Sequence, residues 1–459
     1  GDVVESRSLP SFGSAHGKRL SLLSAPSPVR VMSTLCQESD SDEYDEESTD
    51  VEGQDEPILV DQDPPPVRIL LIAFMFMFQG YGCMVGAPQH ALKTKLDIPH
   101  EQAAAFQEAT ASFQLAKLLM RVCQIAFLVL MEPTGIVYMA YVVMFVALWV
   151  PVVFVWGAGV TGLWVVYLQY ILGGVAVGLF EGTFLSVISS LGKNTKTFAI
   201  MGAPLGFFVN NTILALLTEC GMPVVTYYFY NALCLPFAMY VFHLYRPREV
   251  KAAKGKGCEV FMNSMYHAMD WMPYMIVWFV AKFIGNFVLE DGFPLLFNTF
   301  NTSKVPIIGP PDSTDHLMPF TLYTALLWFP SMAAGDTISR RVPQFLDVTV
   351  NWKCYMYLFI AITMCIVGEA LDFLLLALVT VLAAFISNFG NGFIYGLSAK
   401  FIDWKIAEEH RYTAYNLWCF VGDLGGYAGQ GALSVWLADQ VCEGHHYTFV
   451  CNVKKLLLI

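Results

Sequence analysis

Apolar stretches of about twenty residues follow one another along most of the chain, from residue 67 to residue 442, with short polar loops between them. The stretches 69–78 and 355–367 contain no charged residue at all. A helix satisfies its own backbone hydrogen bonds, and about twenty apolar residues in a helix cross the ~30 Å hydrocarbon core of a bilayer. The pattern therefore predicts an all-α polytopic membrane protein.

The apolar stretches divide into two groups on either side of one long polar loop, residues 246–270. Residues 67–245 contain six predicted spans and residues 271–442 contain five, about eleven transmembrane helices in total. The arrangement resembles a two-halved transporter bundle with one helix missing. The predicted spans are residues 67–90, 103–131, 135–157, 163–192, 196–219, 223–245, 271–297, 317–340, 353–370, 372–400 and 410–440.

Basic residues predict the orientation of these spans. The loop 246–270 holds Arg246, Arg248, Lys251, Lys254 and Lys256, and an excess of Lys and Arg marks cytosolic loops. Counting spans from this loop places the N-terminus in the cytosol and the C-terminal tail, residues 443–459, in the lumen. A further set of basic residues then falls on cytosolic loops or span ends: Lys193, Lys196, Arg340, Arg341, Lys353, Lys400, Lys405 and Arg411.

A glycosylation sequon supports this orientation. Asn301 begins the sequence Asn-Thr-Ser within the loop 298–316, which the span count places on the lumenal side. We therefore predict a glycoprotein that carries its sugar at Asn301. Cys442 and Cys451 flank the polar stretch after the last span, and they would form a disulfide if that end faces an oxidising lumen.

Composition agrees with a membrane location. The chain has 459 residues, of which 56% are hydrophobic and 14% charged, whereas soluble domains carry about 25% charged residues. The net charge of −12 is concentrated in residues 1–66, which contain 15 acidic and 4 basic residues. We predict that this tail is disordered and cytosolic. It is either a solvated tail or a segment that is phosphorylated or bound by sorting machinery.

The sequence lacks the motifs of common enzymes. It has no P-loop, no nucleophile elbow, no zinc-protease motif and no cluster of Cys and His residues. The eleven cysteines are scattered singly. We expect no enzymatic activity, cofactor, metal or nucleic-acid partner, and transport driven by a gradient.

Five ionisable residues lie deep in the predicted spans: Lys117, Arg121, Glu181, Lys282 and Asp423. A charged side chain in hydrocarbon is costly and is kept where it faces a cavity or a partner. Each one is therefore either a substrate contact or part of an ion pair between helices, such as Glu181 with Lys282. The basic residues suit an anionic solute, and Glu181 and Asp423 could carry coupling protons.

Asp336 and Arg340 form a further candidate pair, because residues four apart on a helix are neighbours. Arg340 lies near the predicted cytosolic end of its span, where its long side chain could instead extend to the membrane surface. The predicted path for the substrate or ion consists of Lys117, Arg121, Glu181, Lys282, Asp336, Arg340 and Asp423.

Three segments resemble the battenin family of lysosomal and vacuolar membrane proteins. They are Gly-Leu-Phe-Glu-Gly-Thr-Phe-Leu-Ser at 178–186, Met-Pro-Tyr-Met-Ile at 272–276 running on to the loop at 301–303, and Glu-Glu-His-Arg at 408–411 followed by Asp423. The resemblance implies a major-facilitator-like fold and export of a small polar solute from the lumen by alternating access, with glycerophosphodiesters as the best candidate. Lys282 stands where a battenin would have a carboxylate.

Two alternatives remain. Asp-Thr-Ile-Ser-Arg at 336–340, together with the Asn-Gly at 391–392, resembles the signature of the equilibrative nucleoside transporters, with Ser339 in place of a glycine. The resemblance implies the same architecture with a nucleoside as substrate. The chain could also be a membrane trafficking scaffold that transports nothing and recruits partners through its acidic tail.

Overall fold

The structure, a computed structural model, accounts for most of the membrane region. Five features predicted from the sequence lie outside the residues or side chains that it describes: the tail 1–66, the basic residues at 248–256 in the loop 246–270, the glycosylation site Asn301, the disulfide between Cys442 and Cys451, and the tail beyond residue 443. The described residues are 67–98, 103–191, 193–247, 257–299, 304–309, 313–348, 350–372, 374 and 376–443.

The described part of residues 67–245 is mostly helical. Its helices are α1 (Leu70–Gly82), α2 (Ala87–Lys95), α3 (Ala103–Leu130), α4 (Pro133–Pro151), α5 (Trp164–Ile188), α6 (Lys193–Ile200), α7 (Gly202–Phe208), α8 (Ala215–Glu219) and α9 (Val225–Tyr245). Two π-helical segments continue these helices, Val152–Gly157 after α4 and Val209–Leu214 between α7 and α8. The chain turns between α1 and α2 at Gly86, whose φ of +72° favours glycine.

The second half repeats this helical character. Its elements are α10 (Gly257–Tyr266), α11 (Ala268–Thr299), β1 (Lys304–Pro306), β2 (Leu317–Pro319), α12 (Phe320–Tyr323), α13 (Phe329–Arg341), α14 (Asn351–Asp372), α15 (Ala377–Lys405) and α16 (Glu408–Glu443). The two short strands pair antiparallel, with Val305 opposite Met318. A π-helical segment, Thr324–Trp328, joins α12 to α13.

Each predicted span overlaps a helix or a run of helices, and the span 317–340 begins in strand β2. Among the described residues, seven helical segments are long and apolar enough to cross a membrane. Helices α3, α9, α13 and α16, which cover the other four predicted spans, are not among the seven. The total of eleven spans therefore stays a prediction, whereas the predominantly helical membrane fold is confirmed. The loop 246–270 contains a short helix, α10, that the sequence did not predict.

The two halves have tight internal packing. In the first half, α5 packs between α3 and α4, and in the second half α15 packs between α13 and α14 while α11 packs along α16. Stacked aromatic rings fill the first half, with the ring centroids of Phe180 and Phe184 4.7 Å apart. Large apolar side chains such as Phe359 are 70% exposed on the outer surface, and such surfaces suit lipid rather than water.

The halves meet along a narrow set of contacts. Helix α16 packs against α3 and α5, and α13 packs against α7. We call the region around Lys196 and Lys400, which line the same cavity, the basic end. Lys400 Nζ donates to the carbonyl oxygens of Pro343 and Leu346 at 3.0 and 2.7 Å.

Candidate functional site

A network of buried charged side chains crosses the contact between the two halves. Arg121 on α3 is at its centre, and its side chain is 1% exposed. Its Nη2 atom donates to Glu181 Oε2 on α5 at 2.8 Å, and its Nε atom donates to Asp423 Oδ2 on α16 at 3.0 Å. Lys117 Nζ, one turn away on α3, contacts Asp423 Oδ1 at 2.8 Å. Arg121 and Lys117 therefore tie the first half to the last helix of the second.

Tyr395 on α15 connects this network to two further cations. Its hydroxyl group donates to Glu181 Oε1 at 3.0 Å. The guanidinium carbon of Arg340 lies 4.4 Å from the centre of its ring, and Lys282 Nζ lies 4.9 Å from the same centre. A cation near an aromatic face is attracted by the negative face of the ring. Tyr395 thus brings Lys282 and Arg340 close to Glu181.

Arg340 is buried and paired. Its Nε and Nη2 atoms donate to Oδ1 and Oδ2 of Asp336 at 2.7 and 2.9 Å, and its Nη1 atom donates to the carbonyl oxygen of Ile200 at 2.9 Å. The internal pair that the spacing allows is confirmed. Extension of the side chain to the membrane surface is wrong, because Arg340 is only 6% exposed. Through Ile200, Arg340 also contacts the first half.

Lys282 differs from the other cations. It is 6% exposed and its Nζ atom donates to Asn286 Oδ1, one turn along α11, at 2.8 Å. Among the side chains that the structure describes, no carboxylate lies within salt-bridge distance of it. Its other neighbours are the faces of Tyr395 and Trp418, the latter at 5.1 Å. The predicted ion pair between Glu181 and Lys282 is wrong, since Glu181 pairs with Arg121 instead.

The charges of the network do not balance. It contains four cations, Lys117, Arg121, Lys282 and Arg340, and three carboxylates, Glu181, Asp336 and Asp423. At formal charges the network therefore has one more cation than carboxylate, and among the described side chains Lys282 is the cation without a carboxylate partner. Burying such a charge costs several kcal/mol unless a partner compensates it.

Glycines on α5 set the position of the network. A Cβ atom on Gly178 would lie 2.9 Å from the carbonyl oxygen of Lys117, and one on Gly182 would lie 3.1 Å from Arg121 Nη1. Small residues let two helices approach closely in a membrane. Glycine at both places therefore brings Glu181 within reach of Arg121. On α16, a Cβ atom on Gly422 would lie 2.9 Å from Lys282 Cε, so this glycine makes room for Lys282.

A second, separate set of charged residues joins the halves at the basic end. Lys196 Nζ on α6 contacts Asp403 Oδ1 on α15 at 2.9 Å and lies 3.7 Å from the ring centre of Tyr415. The Tyr415 hydroxyl group donates to Asp403 Oδ1 at 2.9 Å. A cavity of about 240 Å³ adjoins this pair, and Lys196, Arg340, Lys400 and Asp403 contribute to its walls. Arg340 thus belongs both to the network and to the cavity wall.

All seven residues of the predicted path belong to the network. The sequence analysis missed Tyr395, which links its two parts, and Asn286, which holds Lys282. It also missed the pair of Lys196 and Asp403. No sequence pattern distinguishes Tyr395 from other tyrosines in apolar helices. Lys196 and Asp403 are 207 residues apart in the sequence, and their pairing depends on how their helices pack.

Comparisons with solved structures identify the fold. The human organic anion transporter MFSD10 is similar with a TM-score of 0.52 at 12% identity, over 81% of this chain and 94% of that one. The Escherichia coli fucose:proton symporter FucP is similar with a TM-score of 0.51 at 12% identity, over 82% of this chain and 92% of that one. The proton:xylose symporter XylE, of the major facilitator superfamily, is similar with a TM-score of 0.56 at 13% identity, over 82% of this chain and 89% of that one. The chain therefore has the major facilitator fold. No family model matches it, and no curated protein is similar to it in sequence.

Proposed function

We propose that this protein transports a small anionic solute across a membrane by alternating access. The observation that carries the proposal is the charge imbalance of the network, in which Lys282 is buried and has no carboxylate partner among the side chains that the structure describes. An anion bound beside Lys282 and Arg340 would compensate the excess positive charge. The major facilitator fold supports a transporter rather than an enzyme.

The location of the network supports alternating access. In two-halved transporters the substrate binds between the halves, and the halves rock about the site. Here the network joins α3 and α5 of one half to α11, α13, α15 and α16 of the other. A solute that binds at this junction therefore contacts both halves and can influence how they move.

The substrate that we propose is a glycerophosphodiester, exported from the lumen of a lysosome or vacuole. The charge of the network favours a phosphodiester monoanion over a cation such as a basic amino acid, and the battenin resemblance suggests the compartment. The solved structures include an organic anion transporter and two proton-coupled sugar symporters. These similarities support a small solute as the substrate, and experiment must identify it.

A flux measurement tests the proposal. The purified protein is reconstituted in liposomes and offered radiolabelled glycerophosphoglycerol, which carries one negative charge, or uridine, or lysine. We expect uptake of glycerophosphoglycerol and not of lysine. Uptake of uridine alone selects the equilibrative nucleoside transporter, for which the paired Asp336 and Arg340 is the favouring observation. Flux of none of these solutes, with loss of cellular function on deletion of residues 1–66, selects the trafficking scaffold.

A further inference from the structure

Two polar atoms near Lys282 are buried without a hydrogen-bond partner among the described residues. One is the Oδ1 atom of Asn391 on α15, and the other is the Nε1 atom of Trp418 on α16. Asn391 is 5% exposed and Trp418 is fully buried. Most buried polar groups in proteins are hydrogen-bonded, and an unpaired one is costly. An unpaired acceptor and an unpaired donor therefore indicate a ligand or a water molecule that completes them.

Asn391 faces the part of α11 that carries Lys282. A Cβ atom on Gly285 would lie 2.8 Å from Asn391 Oδ1. Gly285 comes three residues after Lys282 and is therefore its neighbour on one side of α11. On its own helix, Asn391 lies one turn before Tyr395, whose ring centre is 4.9 Å from Lys282 Nζ. The Asn391 amide therefore borders the site that we propose for the anion.

Trp418 borders the same site from α16. Lys282 Nζ lies 5.1 Å from the centre of its ring, and this ring packs edge-on against Tyr395 with centroids 4.8 Å apart. The indole nitrogen can only donate a hydrogen bond. Lys282 cannot be its partner, because an ammonium group also only donates. The N–H group of Trp418 therefore needs an acceptor that the described residues do not supply.

We propose that Asn391 and Trp418 bind hydroxyl groups of the transported solute, so that the substrate class is a hydroxylated organic anion such as a polyol phosphodiester. This inference rests on the proposed function and specifies which anions the site selects. A hydroxyl group both donates and accepts. One hydroxyl group of the solute donates to the Asn391 oxygen, and another accepts from the Trp418 N–H group, while Lys282 binds the anionic group.

The chemistry of the site disfavours other anions. A fully ionised phosphate or carboxylate has no proton to donate, so it could accept from Trp418 but would leave the Asn391 oxygen unpaired. An alkyl group would leave both atoms unpaired. Sites that hydrogen-bond a hydroxyl group discriminate strongly against analogues that lack it. Lys282 therefore selects for charge, whereas Asn391 and Trp418 select for the neutral part of the solute.

Binding of a matched pair of phosphodiesters tests the inference. Glycerophosphoglycerol and dipropyl phosphate carry the same charge and the same number of carbon atoms, and only the first has hydroxyl groups. Isothermal titration calorimetry on the full chain in detergent measures both dissociation constants. We expect glycerophosphoglycerol to bind about 10- to 100-fold more tightly, because dipropyl phosphate leaves the two buried atoms unpaired. Equal constants would overturn the inference and leave anion binding intact, whereas binding of neither compound would overturn the proposed function as well.

Variants assign the selectivity to the two residues. Asn391→Leu removes the amide, and Trp418→Phe removes the N–H group while keeping an aromatic ring beside Lys282. In each variant we expect the preference for glycerophosphoglycerol to fall about tenfold, through weaker binding of this compound and unchanged binding of dipropyl phosphate. The matched control is Asn388→Leu, which removes from α15 an amide that donates to the carbonyl oxygen of Ala384 at 2.8 Å. This variant should keep the wild-type preference.

Lys282→Met separates selection for hydroxyl groups from selection for charge. We expect this variant to bind both phosphodiesters more weakly and to keep the ratio of their dissociation constants. Trp418→Phe retains most of the ring packing, so it keeps the inference testable if Asn391→Leu does not fold. A wild-type preference in Trp418→Phe and in every folded variant of Asn391 would mean that water completes the two buried atoms, and would overturn the inference.

Discussion

The central network and the pair at the basic end both join the two halves, yet they use charge differently. The pair at the basic end consists of Lys196 and Asp403, and Tyr415 contacts both residues. The network contains three carboxylates and four cations, and Arg121 contacts two of the carboxylates. A balanced pair is complete without a ligand and suits a closure between the halves. An unbalanced network is complete only when something else contributes negative charge, which suits a binding site.

The largest expected effect is that of Asp423→Asn on stability. The substitution removes the carboxylate that compensates Lys117 and Arg121, and breaking a buried ion pair by removing one partner costs about 3–5 kcal/mol. Thermal unfolding of the purified protein in detergent should therefore occur at a clearly lower temperature than in wild type. Glu219→Gln is the control for loss of an exposed carboxylate, and equal unfolding temperatures for the two variants would contradict the central position of Asp423.

Lys282→Met should separate function from stability. The side chains are similar in length, and the substitution removes the buried charge that has no carboxylate partner. We expect the unfolding temperature to stay the same or rise. Transport should fall about 10- to 100-fold, as a hydrogen bond to a charged group contributes about 1.5–3 kcal/mol. Lys282→Arg should retain part of the activity because it keeps the charge.

A loss of stability in Lys282→Met together with normal transport would reverse this conclusion. Lys282 would then be a structural residue, and the contrast between an unbalanced network and a balanced pair would lose its functional meaning.

A double-mutant cycle tests the pair at the basic end. We expect Asp403→Asn and Lys196→Met each to weaken closure of the two halves. The double variant should weaken closure only slightly more than either single variant, with an interaction energy of about 0.5–3 kcal/mol. Closure is measured by labelling a cysteine introduced at Thr197, which borders the cavity, with a membrane-impermeant maleimide. Additive effects would mean that the pair does not act as a unit.

The smallest effect should come from Lys400→Met. Lys400 donates to two carbonyl oxygens beyond the end of α13 and helps to stabilise the turn at residues 342–346. We expect a loss of about 1.5–3 kcal/mol in stability, the range for a hydrogen bond that involves a charged group, with transport within a factor of two of wild type. A larger loss of transport than of stability would assign Lys400 to the substrate path rather than to the fold.

Hydropathy predicted the helices well and the contacts between them poorly. The long uncharged runs in α1 and α14 allow little besides a membrane helix, and the rare charged residues at membrane depth marked Lys117, Arg121, Glu181, Lys282 and Asp423 as a group. Which charge pairs with which depends on helix rotation and on close crossings at glycines such as Gly178 and Gly182. Helix rotation and helix crossings are properties of the packed bundle, and the hydropathy pattern of a single helix does not predict them.

Arg340 illustrates the same limit. Its distance from the end of its helix suggested that the side chain reaches the membrane surface, and the spacing from Asp336 suggested a pair. Both interpretations fit the sequence. Packing of α13 against α6 and α7 decides between them, because it places the carbonyl oxygen of Ile200, at the end of α6, where Arg340 can donate to it.

The most direct test of the central claim is the charge preference of the binding site. The dissociation constants of glycerophosphoglycerol, a monoanion, and glycerophosphocholine, a zwitterion, are measured for wild type and Lys282→Met. We predict that wild type binds the monoanion more tightly and that the ratio of the two constants approaches one in the variant. The same ratio in both proteins would contradict the claim that the unpaired charge of Lys282 selects an anionic solute.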